Sequence, residues 1–160
     1  MRKSFIIAGG GTGGHLFPAI AIGDALKKRF PNSAIHFVGS QFGLEARILP
    51  KNERPHTLLP IRGFMRGYSL MAILRNMLFP FRFCIAYFKS RHLIKKLSPI
   101  AVIGTGGYAS GLPLLVAINK DIPTVIHEQN SYPGITTRWL SSRVNTVCLS
   151  YEDARRHLKK

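Results

Sequence analysis

Two short apolar runs in this chain each end in a dense run of glycine. Ser4–Ala8 leads into Gly9-Gly10-Gly11-Thr12-Gly13-Gly14-His15, and Ile100–Ile103 leads into Gly104-Thr105-Gly106-Gly107-Tyr108-Ala109-Ser110-Gly111. A buried strand, a glycine turn and then a helix-forming segment is the repeating unit of a parallel sheet, because parallel strands need a long crossover between them. The remaining segments keep that alternation. Pro18 is expected in the first turn of a helix that carries Ala21, Ile22, Ala25 and Leu26 to a basic end at Lys27-Lys28-Arg29. Ala34–Val38 and His56–Leu59 read as strands, and Tyr68–Leu97 as a long helical region that Pro80 must start, kink or interrupt. Gly111–Asn119 reads as a helix, Thr124–Ile126 as a strand, Gly134–Leu140 as a helix, Asn145–Leu149 as a strand, and Tyr151–Lys160 as a charged final helix. The fold class expected is α/β: a Rossmann-like parallel sheet with helices on both faces, in one domain over residues 1–160.

Glycines Gly9, Gly11 and Gly14 satisfy G-x-G-x-x-G, which sets bare backbone N–H groups and a helix N-terminus opposite an anion. A dinucleotide site would add an acidic residue about 20 positions on, at the end of the second strand, to hold a ribose. Here that strand runs into Gly39-Ser40-Gln41, and the first acid is Glu45, which counts against NAD. A P-loop would need Lys then Ser or Thr after its last glycine, where this chain has His15-Leu16. The alternative to a ligand loop is a tight turn that needs glycine for its backbone angles alone. His15, at the mouth of the loop, is a candidate proton acceptor. The second glycine loop and the polar run His127-Glu128-Gln129-Asn130 also follow strands, so all three clusters belong to the carboxyl edge of one sheet, where open α/β sheets bind ligands.

The balance of charge is the second constraint. Of 160 residues, 23 are Lys or Arg and 7 Asp or Glu, a formal +16, and no acid occurs between Arg54 and Lys120. Such a chain seeks polyanions. Within the basic stretch Met77, Phe81, Cys84 and Phe88 recur at helical spacing among cations that include Arg62, Arg75 and Arg82. The stripe reads either as core or as a membrane-surface patch with cations on anionic headgroups. Nucleic acid is the rival polyanion, but no helix-turn-helix, RNP-like or zinc motif accompanies the charge, so none is expected. Cys84 and Cys148 read as buried thiols rather than as a bridge. Scattered histidines and the lack of an acidic cluster predict no metal and no cofactor. No run reaches the ~20 apolar residues of a membrane span or a signal-peptide core, so the expectation is an intracellular protein with peripheral membrane contact.

Taken together, Gly9–His15 with Pro18-Ala19, Gly104–Gly111, and His127–Asn130 with Pro133-Gly134 resemble the MurG-type transferases, glycosyltransferase family 28. The resemblance implies half of a GT-B fold, the N-terminal acceptor and membrane domain, with the UDP-sugar-binding C-terminal domain absent from this chain. It implies inverting transfer of N-acetylglucosamine from UDP-GlcNAc to the C4 hydroxyl of a lipid-linked muramyl diphosphate, lipid I, at the cytoplasmic face of the bacterial plasma membrane. His15 would be the general base. Thr12, Gly13, Gly14 and Asn130 would border the donor. Gly104, Gly106, Gly107, Tyr108 and Glu128 would hold the acceptor diphosphate. Met77, Phe81, Cys84 and Tyr87, with Arg75 and Arg82, would face the membrane. The alternative is a non-catalytic, membrane-docking subunit of a split GT-B transferase.

Overall fold

A computed structural model describes residues 3–63, 67 and 69–159, apart from the side chains of residues 70–72 and 75. Six parallel strands form one sheet in the order β3-β2-β1-β4-β5-β6. They are β1 Ser4–Ala8, β2 Ala34–Ser40, β3 His56–Leu59, β4 Ala101–Gly104, β5 Thr124–Glu128 and β6 Thr146–Leu149. The order reverses between β1 and β4, which pair in register from Phe5 opposite Ala101 to Ala8 opposite Gly104. That reversal is the topological switch point of a doubly wound sheet, and both glycine loops leave the sheet beside it.

Alternation along the central strand divides the core. Ile6 and Ala8 pack with Val38, Val102 and Ile126 on one face. Phe5 and Ile7 pack with Leu16, Phe37 and Leu49 on the other. The first face is covered by α4 (Phe79–Leu97) and α5 (Tyr108–Ile118), the second by α1 (Gly13–Arg29) and α2 (Glu45–Lys51). Helix α5 is buried at eight of its positions, as befits an element held between sheet and neighbouring helices.

Several local expectations shift. Helix α1 begins at Gly13, so Pro18 lies in its second turn, and its fully buried positions are Leu16, Ala19 and Gly23; Ala21 and Ala25 face solvent. Helix α5 likewise begins at Tyr108, three residues before the expected start, because it grows directly out of the glycine loop. The region before β4 is two helices, α3 (Leu70–Met77) and α4, and Pro80 starts the second at its first turn, where its missing N–H costs nothing; Tyr68 lies outside the described residues. Helix α2 was not anticipated, since Pro50 and seven residues of mixed polarity mask its period. After β6 the chain forms a 3₁₀ turn at Glu152–His157 rather than a charged α-helix. Only Ala154 of that turn is buried, so no apolar stripe sustains a longer helix. Both cysteines are exposed rather than buried.

Candidate functional site

The two glycine loops meet backbone to backbone. A Cβ at Gly107, whose φ is +75°, would overlap the Gly10 carbonyl oxygen, so only glycine permits this approach. The Gly107 carbonyl in turn accepts the hydroxyls of Ser110 (2.9 Å) and Thr136 (3.2 Å), which ties the loop to α5 and to the start of α6 (Ile135–Leu140). Beside this junction lies a cleft of about 570 Å³, with Thr12, His15, Phe42, Arg62, Gly107 and Tyr108 in its walls.

Helix α1 carries His15 in its first turn, and the β4–α5 loop orients the ring. His15 Nδ1 lies 2.9 Å from the Thr105 carbonyl oxygen. A carbonyl only accepts, so Nδ1 carries the proton and Nε2 holds the free lone pair. Gln129 Oε1 is a second, longer partner of Nδ1 at 3.3 Å, while Gln129 Nε2 donates to the same Thr105 carbonyl (2.9 Å). Thr105, fully buried, returns a bond from its hydroxyl to the His15 carbonyl (2.8 Å). The base candidate is thus held at both its backbone and its ring by a residue 90 positions away.

Beneath the first loop sits a carboxylate. Glu45 is fully buried. It accepts the Gly11 N–H at 2.9 and 3.0 Å and the Ser40 N–H at 2.7 Å. Side chains at Gly39 or Gly43 would collide with it. The Gly11 amide is therefore engaged by an internal anion and does not face a ligand, which corrects the expectation of a bare N–H at that one position of the loop. The signal was available in Gly39-Ser40-Gln41-Phe42-Gly43-Leu44-Glu45, where two glycines flank the approach to an acid at the head of a helix.

Of the residues expected around an acceptor diphosphate, Gly107 and Tyr108 line the cleft, and Gly106 packs against the His15 imidazole. Gly104 does not. It ends β4, and a Cβ there would run into Leu114 of α5. Glu128 also stands away from the cleft, 1% exposed. Burial would raise its pKa, but hydrogen bonds from Thr137, from the Asn130 side chain and N–H, and from the Gly134 N–H outweigh that and hold it below the usual carboxylate value. An anion so enclosed braces the β5–α6 loop and cannot ligate a phosphate. Asn130 is exposed, its Nδ2 donating to Glu128 at 2.8 Å, so its side-chain oxygen is turned by that bond. Thr12 lines the cleft from the N-cap position of α1, where its side chain makes no cap bond; Gly13 and Gly14 open the helix's first turn.

The stripe on α3 and α4 faces outward. Met77 is 70% exposed and Phe81 67%, and Cys84 and Phe88 are exposed with them. Two expected members differ. Tyr87, one position off the stripe, turns inward against the core, and Arg82 reaches over the ring of Phe42. The Arg75 side chain lies outside the described residues. None of the helices, among the described residues, is long and apolar enough to cross a membrane.

Sequence and structure comparisons agree on a family. Residues 5–149 match the glycosyltransferase family 28 N-terminal domain. A transferase of Christiangramia forsetii, named UDP-N-acetylglucosamine–N-acetylmuramyl-(pentapeptide) pyrophosphoryl-undecaprenol N-acetylglucosamine transferase, is 48% identical over 92% of this chain and 39% of its own length. The identically named protein of Flavobacterium psychrophilum is 45% identical over 99% of this chain and 42% of its own. The crystal structure of Acinetobacter baumannii MurG superposes with a TM-score of 0.76 at 31% identity, covering 96% of this chain and 43% of that one. UDP-GlcNAc 2-epimerase from Neisseria meningitidis shares the fold at a TM-score of 0.61 and 15% identity, covering 98% of this chain and 42% of that one. The chain thus spans about two-fifths of the relatives it matches. With the doubly wound sheet, the paired glycine loops and a match over nearly its whole length, the chain belongs to glycosyltransferase family 28, as its N-terminal domain.

Proposed function

We propose that this chain is the acceptor-binding, membrane-facing domain of a transferase that moves N-acetylglucosamine from UDP-N-acetylglucosamine to a lipid-linked N-acetylmuramyl diphosphate. The observation that carries the reading is the His15–Thr105 hydrogen bond, which leaves a basic Nε2 on a ring that lines the cleft. In the reaction the acceptor C4 hydroxyl gives its proton to His15 Nε2 as its oxygen attacks the anomeric carbon of the donor. The bond from that carbon to the UDP oxygen breaks, UDP leaves with the electron pair, and the configuration inverts. General-base help of this kind contributes about 10²–10⁴-fold.

Thr12, Gly13, Gly14 and the Asn130 oxygen border the donor sugar in this reading. The Gly106–Tyr108 turn and the start of α5 meet the acceptor diphosphate, since first-turn N–H groups have no partner inside their own helix. The exposed Phe81, Cys84 and Phe88 stripe seats the domain on an anionic membrane surface, peripherally and on the side where the nucleotide sugar is supplied. Both this reading and a non-catalytic docking subunit need the stripe; a base with a set tautomer favours the transferase.

Vesicle co-sedimentation tests it. Retention on phosphatidylglycerol vesicles should rise when they carry the lipid-linked muramyl diphosphate. Equal retention with and without that acceptor would reduce the chain to a basic membrane patch and overturn the acceptor reading.

A further inference from the structure

Phe42 lies at the mouth of the cleft, and two arginines lie over its ring. The Arg62 guanidinium carbon is 3.8 Å from the ring centroid and that of Arg82 is 5.2 Å. They come from unrelated places, Arg62 from the segment after β3 and Arg82 from α4. Ser40 brings the first of them to the ring: its hydroxyl donates to the Ile61 carbonyl (2.6 Å) and accepts the Phe42 N–H (3.1 Å). Both arginines are half-buried, and both line a small recess next to the cleft. The ion pairs formed among the described residues use Arg54, Arg155 and Arg156 instead. The nearby carboxylate of Glu45 is taken up by the Gly11 and Ser40 amides.

Two like charges sharing one ring repel each other, and an anion placed on both relieves that. A guanidinium stacked on an aromatic face keeps its in-plane N–H fork for a bidentate contact with phosphate oxygens. The cleft is also polarised. Its first-loop floor carries the buried Glu45 charge beneath Gly11, and its Phe42 side carries two cations. An anionic group entering it is directed to the arginine side. Arg82 further follows Phe81, one of the exposed residues of the stripe, so the cationic pair adjoins the apolar surface. Gly63, next to Arg62, packs under the Tyr108 ring, which brings the pair beside the second glycine loop.

We propose that Arg62 and Arg82, gathered on Phe42, form a diphosphate subsite at the mouth of the cleft that takes the head of a lipid-linked diphosphate and sets its direction. The lipid runs along the α4 stripe, the diphosphate lies on the arginines and the Tyr108 loop, and the sugar points to His15. This rests on the acceptor-domain reading above and adds to it the residues that discriminate a diphosphate from other anions.

The test is co-sedimentation of the chain with neutral phosphatidylcholine vesicles doped either with a polyprenyl diphosphate or with phosphatidylglycerol at matched charge, with inorganic pyrophosphate as a soluble competitor. The wild-type chain should prefer the diphosphate lipid, and pyrophosphate should compete. The Arg62→Gln/Arg82→Gln double variant should lose about 10–100-fold of diphosphate binding, the range for charge-assisted contacts, and only about two- to threefold of phosphatidylglycerol binding. Arg62→Lys, which keeps the charge and the fold but not the fork, should fall between. Arg91→Gln/Lys95→Gln, which removes two charges elsewhere on α4, should weaken both lipids alike. Preserved diphosphate preference in both arginine variants would overturn the subsite while leaving the acceptor reading intact. A wild-type chain with no diphosphate preference would overturn both. Equal loss on both lipids in the double variant would make the arginines general membrane charge and overturn the proposal.

Discussion

The buried Thr105 carbonyl accepts the Nδ1 proton of His15 at 2.9 Å, while the Thr105 hydroxyl donates to the His15 carbonyl at 2.8 Å. One residue of the second loop therefore sets both the position and the tautomer of the first loop's histidine. In a transferase containing this domain, His15→Ala should lower turnover by about 10²–10⁴-fold, the usual worth of a general base. Acceptor-dependent retention on vesicles should stay near the wild-type level. Turnover within a few fold of wild type would remove His15 from that role.

Thr105→Val removes the hydroxyl but not the carbonyl. It leaves the His15 carbonyl without its buried donor, at about 1–3 kcal/mol. Urea denaturation of the isolated chain should show that loss, and turnover should fall less than for His15→Ala.

Glu45→Gln presents an NH₂ to donors that need an acceptor, at Gly11 or at Ser40. The expected cost is about 1–3 kcal/mol. For a domain of this size that lowers the thermal midpoint by about 2–4 °C per kcal/mol, readable by circular dichroism. A variant as stable as wild type would mean the carboxylate does not hold the loop.

Acid stability should fall in two steps. Burial, then the nearby His56 and Lys96 charges, lower the His36 pKa from 6.5 to about 4. The unfolded chain therefore binds a proton that the folded chain refuses between those values, and stability falls as pH drops from about 6.5 to about 4. Allowing for screening of this partly exposed ring, the loss is about 1–2 kcal/mol. Glu128 has a lowered pKa, so its contribution is present above the ordinary carboxylate value and is lost as pH falls below it. His36→Gln, which can keep the contact to Thr57, should flatten the upper step and leave the lower one. An unchanged upper step would assign it to another group.

The two cysteines report membrane contact against an internal control. Cys84 lies on the outward stripe with Phe81, and Cys148 lies on the edge strand β6. Both are exposed, so both should react with a maleimide in solution. Anionic vesicles should slow alkylation of Cys84 and leave Cys148 unaffected. Phe81→Ser should weaken vesicle partitioning about 10–100-fold, from the ~1.5–3 kcal/mol of an apolar side chain buried in the acyl boundary. Equal protection of both thiols would argue against an oriented contact.

The strand-glycine-helix units were legible because a buried parallel strand and a glycine turn leave a local signature. Ser4–Ala8 and His56–Leu59 stand where the apolar runs put them. The helix starts at Gly13 and Tyr108 differ from expectation because neither N-cap, Thr12 or Gly107, makes a side-chain cap bond and the glycines around them are weak helix formers. Spacing could place Phe81, Cys84 and Phe88 on one stripe, but not say whether it faced the core or solvent. Least legible were the contacts between distant segments. Thr105 with His15 and Arg62 with Phe42 depend on strand order, which no local pattern encodes.

That strand order also governs when the site can come into being. Because β1 sits between β2 and β4, neither glycine loop meets the other until the central pair closes across nearly a hundred residues. A parallel pair cannot zip from a hairpin, so this closure is a long-range event and slow by its topology. A ribosome that has released only β1 to β3 presents His15 at the head of α1 without its orienting carbonyl, and Gln129 arrives later still, after β5. The proposed base is among the first residues made, and its orienting partners are among the last to arrive.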